Sequence, residues 1–168
     1  MIVTVDVSLK QATWGAQEPV SIVLGRDGVI LPGQKAEGDM KTPLGTYELT
    51  HVFYRPDKRE APETGLPLIA ITPQLGWCDD VTCPEYNSLI SLPFKGSHEK
   101  MYRHDGYYDL GIIVAYNTVM PVPGQGSAIF CHRIPDSGYT AGCVGFDMTD
   151  LVQLISVLNP GDQMTIQA

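Results

Sequence analysis

The chain has no run of 18 or more apolar residues, so no segment reads as a transmembrane helix. Basic residues are also few: eleven Lys and Arg stand against nineteen Asp and Glu, a formal net charge of −8. A nucleic-acid surface needs clustered Lys and Arg, so nucleic acid is not an expected partner, and neither is an anionic membrane. Charged residues make up only 18% of the chain and apolar ones 43%, which excludes a disordered acidic polymer. The opening Met1-Ile2-Val3-Thr4-Val5-Asp6-Val7 lacks a basic stretch, a long apolar stretch and a small-residue cleavage site, so it does not read as a signal peptide. The expectation is a cytoplasmic protein, or a periplasmic one if a leader has been trimmed. Cysteine is sparse (Cys78, Cys83, Cys131 and Cys143), and without a secretion signal it does not suggest a disulfide framework. GxxxxGK[ST], G-x-G-x-x-G after a strand, H-E-x-x-H and GxSxG are all missing, so no nucleotide cofactor and no metal is expected.

What is present suits one β-rich domain over residues 1–168. Seventeen Gly and thirteen Pro punctuate short apolar or alternating runs at 2–7, 19–24, 46–53, 67–72, 87–92, 108–116, 127–132 and 162–167. Gly25-Arg26-Asp27-Gly28 reads as a hairpin turn. Residues 54–66 and 73–86 read as long loops, which in compact domains tend to carry function. One segment is helical: Asp147 to Asp150 cap Leu151 to Leu158, with apolar residues at 151, 154, 155 and 158, and Asn159-Pro160-Gly161 ends it.

The chemistry concentrates late in the chain. His132 closes the apolar run Ala128-Ile129-Phe130-Cys131, and Cys143 follows eleven positions later, after Gly142. A nucleophilic thiolate needs a neighbouring base or cation, and histidine serves best. A ten-residue turn can fold Cys143 back within hydrogen-bond distance of His132. Gly142 allows close backbone approach, and the amides of Gly142 and Cys143 could form an oxyanion hole. The alternative from residue types alone is a buried structural cysteine beside a satisfied strand-end histidine.

These residues carry a resemblance. His132 followed by Thr140-Ala141-Gly142-Cys143, together with Thr42-Pro43-Leu44-Gly45-Thr46-Tyr47, is similar to the YkuD-type L,D-transpeptidase catalytic domain, with its strand-borne His, its Ser/Thr-x-Gly-Cys and its TPxGxF/Y segment. Trp77-Cys78-Asp79-Asp80, Tyr86-Asn87, Leu92-Pro93-Phe94, Ser97-His98-Glu99 and Tyr108-Asp109-Leu110 resemble a small stand-alone subgroup, so the likeness runs over about 20 to 167. It implies a mainly β fold: a β-sandwich of mixed sheets with one or two helices. It implies attack on the bond between the third residue, usually diaminopimelate, and the terminal D-Ala of a peptidoglycan tetrapeptide stem. Cys143 would be the nucleophile, His132 the base and then the acid, the carbonyl of Arg133 the group that orients His132, and the Gly142 and Cys143 amides the oxyanion donors.

Three departures stand out. Ala141 replaces a second His often found before Gly-Cys, Gly145 replaces a polar residue two after the Cys, and the His-to-Cys loop is short, which implies a trimmed acceptor side. Arg103 is the first candidate to hold the terminal carboxylate and Arg133 the second, because a guanidinium fork matches a carboxylate. His98, Ala141 and Thr140 complete the expected substrate contacts. With no export signal read, the expected reaction is hydrolysis: an L,D-carboxypeptidase acting on stem peptides or muropeptides in peptidoglycan recycling. Cross-linking or D-amino-acid exchange in the wall, and non-catalytic binding of wall peptides, are the alternatives. A zinc peptidase built on His98 and Asp105 lacks a downstream Glu, and its later histidines are only His104 and His132.

Overall fold

The computed structural model describes residues 1–168. The chain forms fourteen short strands, eight of them at the apolar or alternating runs of the sequence: β1 (Ile2–Asp6), β2 (Gln11–Trp14), β3 (Val20–Val23), β4 (Val29–Ile30), β5 (Thr42–Pro43), β6 (Gly45–Tyr54), β7 (Leu68–Ala70), β8 (Leu75–Cys78), β9 (Leu89–Ser91), β10 (His98–Lys100), β11 (Leu110–Val114), β12 (Phe130–Arg133), β13 (Val144–Phe146) and β14 (Gln163–Gln167). One α-helix, α1 (Met148–Val157), and a 3-10 turn at Pro32–Gln34 complete it. The fold is thus mainly β with mixed sheets, as the resemblance implies.

Nine strands run in the order β11-β12-β13-β3-β2-β1-β14-β6-β7, and a further pairing of β11 with β6 bends this sheet back on itself. Pairings are mixed: β1 with β14 and β12 with β13 are parallel, most others antiparallel. The enclosed core holds Val3, Val5, Leu49, Val52, Ile112, Cys131, Val144, Phe146, Met164 and Ile166. Helix α1 contributes Leu151, Leu154 and Ile155 to it, the apolar positions its periodicity marks. Asp147 caps the helix by accepting the Thr149 N–H at 2.9 Å, so Met148, Thr149 and Asp150 lie inside the helix rather than before it.

A second core lies on the other face of β11 and β12: Phe53, Ile71, Trp77, Met101, Tyr108, Ile113, Phe130 and Cys143. Phe130 is its centre, with edge contacts to Phe53 (5.4 Å), Trp77 (5.1 Å) and Tyr108 (5.7 Å). Alternation along β12 therefore sends Cys131 into the large core and puts Phe130 and His132 on the side of Tyr108.

Several expectations need correction. The 73–86 loop contains β8, which pairs with β9 and β10 in a separate three-stranded sheet. Gly25 to Gly28 is a turn, with Gly28 N–H donating to Gly25 O, but β3 and β4 do not pair, so no hairpin forms. The 127–132 run starts its strand only at Phe130, because Ala128 adopts a left-handed φ of 53°. The segment holding Cys143 is followed at once by β13, whose parallel register sets His132 opposite Gly145.

Gly111 is the tightest point of this architecture. A Cβ there would lie 2.2 Å from Phe53 Cζ and 2.6 Å from Cys131 O. Gly111→Ala is expected to destabilise the protein by about 1–3 kcal/mol, the usual range for overpacking. A urea midpoint unchanged from the parent would contradict this.

Candidate active site

The parallel β12–β13 register carries Cys143 to the level of Phe130, and the sulfur is held there by two main-chain groups. Phe130 N–H donates to Sγ at 3.3 Å, and the thiol donates to Ala128 O at 3.3 Å. His132 lines the same cavity, of about 190 Å³, with Cys143, Lys35, Glu37, Asp79, Glu99, Tyr108 and Ala141. The His132 ring sits edge-on to Tyr108 at 5.2 Å, and its Nδ1 donates to Arg133 O at 2.7 Å. That bond fixes the tautomer and leaves Nε2 as an acceptor.

Burial sets the protonation states. The Cys143 thiol is pushed up to about 12, first by burial and then by Glu99, against the pull of Phe130 N–H, Lys35 and Arg103. Burial pushes His132 down to about 4, although its bond to the Arg133 carbonyl opposes this. At neutral pH the site therefore holds a thiol and a neutral imidazole. The expected hydrogen-bonded, ionised pair is not what the resting site contains: Sγ bonds to Ala128 and Phe130, not to His132, because main-chain groups of the 128–130 segment take up both its S–H and its acceptor capacity.

The backbone of the motif is pinned by threonines. Thr140 Oγ1 donates to Cys143 O at 2.7 Å and Thr42 Oγ1 does so at 3.4 Å. Gly142 has φ 144°, and a Cβ there would lie 2.9 Å from Lys41 O. Its N–H donates to Thr140 Oγ1 at 3.1 Å, so Gly142 is not a free oxyanion donor as expected. The Cys143 N–H donates to no protein group and keeps that capacity. At Gly145 any Cβ would meet Val23 Cγ2 at 2.6 Å, so a side chain there must displace that methyl.

The expected substrate contacts divide. Ala141 lies at the rim, between the thiol cavity and a neighbouring one of about 250 Å³. Arg103 lines that second cavity with Glu99, Tyr107, Tyr108 and His132, but its guanidinium is already engaged by Asp105 at 2.5 Å and Glu99 at 3.6 Å. Thr140 also lines the second cavity, although it is buried and its hydroxyl is spent on Cys143 O. The Arg133 side chain turns outward to Asp136 at 3.1 Å, so only its carbonyl belongs to the site. His98 is tied by Nδ1 to Gly96 O at 3.0 Å, packs on Phe94 and lines neither cavity. His98, His104 and Asp105 do not join a group of three metal-ligating side chains.

Sequence reasoning assigned no role to Lys35, Glu37, Asp79, Glu99 and Tyr108. Lys35 is buried and ion-paired with Asp39 at 2.6 Å. Glu37 accepts from Tyr86 at 2.5 Å and Ser127 at 2.8 Å, which ties the 35–38 segment to the cavity wall. Tyr108 donates to Glu99 at 2.5 Å, and burial raises the Glu99 carboxyl above its ordinary range. Residue type alone does not mark these positions, and no spacing rule links 35, 37, 79, 99 and 108 to 143.

A buried thiol, an imidazole with a free acceptor nitrogen and an unpartnered main-chain N–H around one cavity define an arrangement suited to cysteine acyl transfer. The family model for the L,D-transpeptidase catalytic domain (YkuD) matches residues 2–166, and the chain belongs to this family. Among solved structures it is similar to an L,D-transpeptidase from Mycobacterium smegmatis, at 12% identity and TM-score 0.46, covering 99% of this chain and 58% of that one. It is also similar to the helical cell shape determining protein Pgp2 from Campylobacter jejuni, at 17% identity and TM-score 0.48, covering 99% of this chain and 46% of that one. The chain thus spans about half the length of these structures. No curated protein matches it.

The depressed His132 has a consequence for stability. Between pH 6.5 and about 4 the unfolded chain binds a proton at this position that the folded protein refuses. Stability from this group is complete above pH 6.5 and is lost as pH falls to about 4, by up to about 3 kcal/mol. His132→Gln should flatten the decline of melting temperature over that window relative to the parent. Equal slopes for the two proteins would contradict the assigned protonation state.

Proposed function

We propose that this protein is a cysteine L,D-carboxypeptidase that removes the terminal D-Ala from peptidoglycan tetrapeptide stems, free or as muropeptides. The observation that carries the reading is one cavity shared by the Cys143 thiol and a His132 whose Nδ1–H is already committed to Arg133 O. Nε2 is then the atom that takes the thiol proton as sulfur attacks the carbonyl carbon before D-Ala. The oxyanion of the tetrahedral intermediate accepts the Cys143 N–H. Collapse breaks the C–N bond, the imidazolium returns its proton to the departing D-Ala amine, and a thioester remains. Water, deprotonated by Nε2, attacks that thioester and regenerates the thiol with a tripeptide carboxylate.

Family membership supports the substrate class. A net charge of −8 supports small soluble stems over anionic wall polymers, and with them a cytoplasmic site of action. Arg103 is the cation we assign to the terminal carboxylate, which would take the place of Asp105 or Glu99 on the guanidinium. A second reading, transfer to an amine instead of water, is favoured by the second cavity beyond His132, which has room for an acceptor.

Incubation with tetrapeptide should yield tripeptide and free D-Ala by mass spectrometry. Cys143→Ala should reduce this by at least about a thousandfold, as loss of a nucleophile does. Arg103→Ala should raise KM more than it lowers kcat. Products consisting only of cross-linked dimers or exchanged amino acids would replace hydrolysis by transfer.

A further inference from the structure

The thiol is positioned by a residue that never touches it. Ala128, whose carbonyl accepts the Cys143 S–H, sits at φ 53°, a left-handed conformation unfavourable for any residue with a Cβ. Its N–H donates at 3.0 Å to the Oδ1 of Asn87, which also accepts the Trp77 indole N–H at 2.9 Å. The Asn87 amide nitrogen donates to Tyr116 O at 3.0 Å and Asn117 O at 2.7 Å. All four hydrogen-bonding capacities of this buried amide are filled, and its Oδ1 and Nδ2 cannot exchange places without opposing like groups. We infer that Asn87 is a positioning residue for the nucleophile: by clamping the Ala128 amide it holds Ala128 in its left-handed conformation, and so holds the carbonyl that fixes the Cys143 sulfur.

The inference rests on Cys143 being the nucleophile, and its test separates the two. Asn87 is itself at φ 58°, so Asn87→Gly removes the side chain without new backbone strain. Without the clamp, Ala128 loses its left-handed state by about tenfold in population. For tetrapeptide cleavage kcat should fall about tenfold with KM little changed. Cys143 alkylation by iodoacetamide at pH 8.5 should rise about tenfold, because a thiol without its acceptor ionises more readily. Glu99, Lys35 and Arg103, the charged groups acting on the sulfur, are unaltered in this comparison.

The decisive measurement is the same change made in an Ala128→Gly background, where glycine holds positive φ at no cost. There both effects should shrink to less than about threefold. Equal effects in both backgrounds would overturn the inference and leave Asn87 a structural residue. Should Asn87→Gly fail to fold, Ala128→Val replaces it. Valine cannot hold φ 53°, so its kcat must fall at least about tenfold below that of Ala128→Gly, and equality overturns the inference. A parent protein that cleaves no stem peptide would defeat the proposed function, while the alkylation comparison would still decide the role of Asn87.

Discussion

The carbonyl oxygen of Cys143 receives two hydroxyl groups, from Thr140 three residues back and from Thr42 a hundred and one residues back. It is buried, and a buried carbonyl without a donor costs about 1–3 kcal/mol. Each hydroxyl is in turn an acceptor: Thr140 Oγ1 takes the Gly142 N–H and Thr42 Oγ1 takes the Gly25 N–H. The loop that presents the sulfur is thus fastened at once to its own preceding turn, to β5 and to the turn after β3. The two sequence motifs that identify the family meet at this one atom. Their joint occurrence says more than either alone because each supplies a hydroxyl to the same buried oxygen.

Neutrality of the resting site follows from the same closure. Water would stabilise a thiolate or an imidazolium by solvation, but Cys143 and His132 are both buried, and burial disfavours both charges. Charge separation is then deferred until a substrate carbonyl is present to become the oxyanion, with the Cys143 N–H as its partner. Such a site sacrifices thiolate reactivity at rest, and it keeps the sulfur from alkylating or oxidising agents that attack exposed thiolates.

Local signals were the legible part. Apolar or alternating runs marked β1, β3, β6, β7, β9, β11, β12 and β14, the helix period marked α1, and residue chemistry marked His132 and Cys143. The strands that escaped, β2, β4, β5, β8, β10 and β13, have two to four residues and no full alternation: β13 is Val-Gly-Phe and β10 is His-Glu-Lys. Side-chain direction was equally hidden. Arg133 and His132 are adjacent, so a strand must point them to opposite faces, and the guanidinium leaves the site while its carbonyl stays. His98 looked chemical by type, yet β10 binds it to the three-stranded sheet. Asn87 stood in the Tyr86-Asn87 resemblance with no role attached, since its four partners lie ten to forty-one residues away.

Backbone strain marks the site as strongly as residue chemistry does. Five residues other than glycine take positive φ: Lys10, Met40, Asn87, Asn117 and Ala128. Lys10 lies in the turn between β1 and β2, where such a conformation is common. Three of the other four form one hydrogen-bonded chain to the thiol, and the fourth lines the second cavity. Ala128 touches the thiol, Asn87 clamps Ala128, Met40 lines the second cavity, and Asn117 accepts from Asn87 while its own amide holds Val122 O and Gly126 O. Each costs of order 1–3 kcal/mol and persists only where neighbours over-determine it. Two of the four are asparagines, whose short amides both tolerate this conformation and bond the chain that enforces it. Regular β12 could have begun two residues earlier and avoided the strain, but a strand-like Ala128 would aim its carbonyl along the ladder and leave the Cys143 thiol without its acceptor.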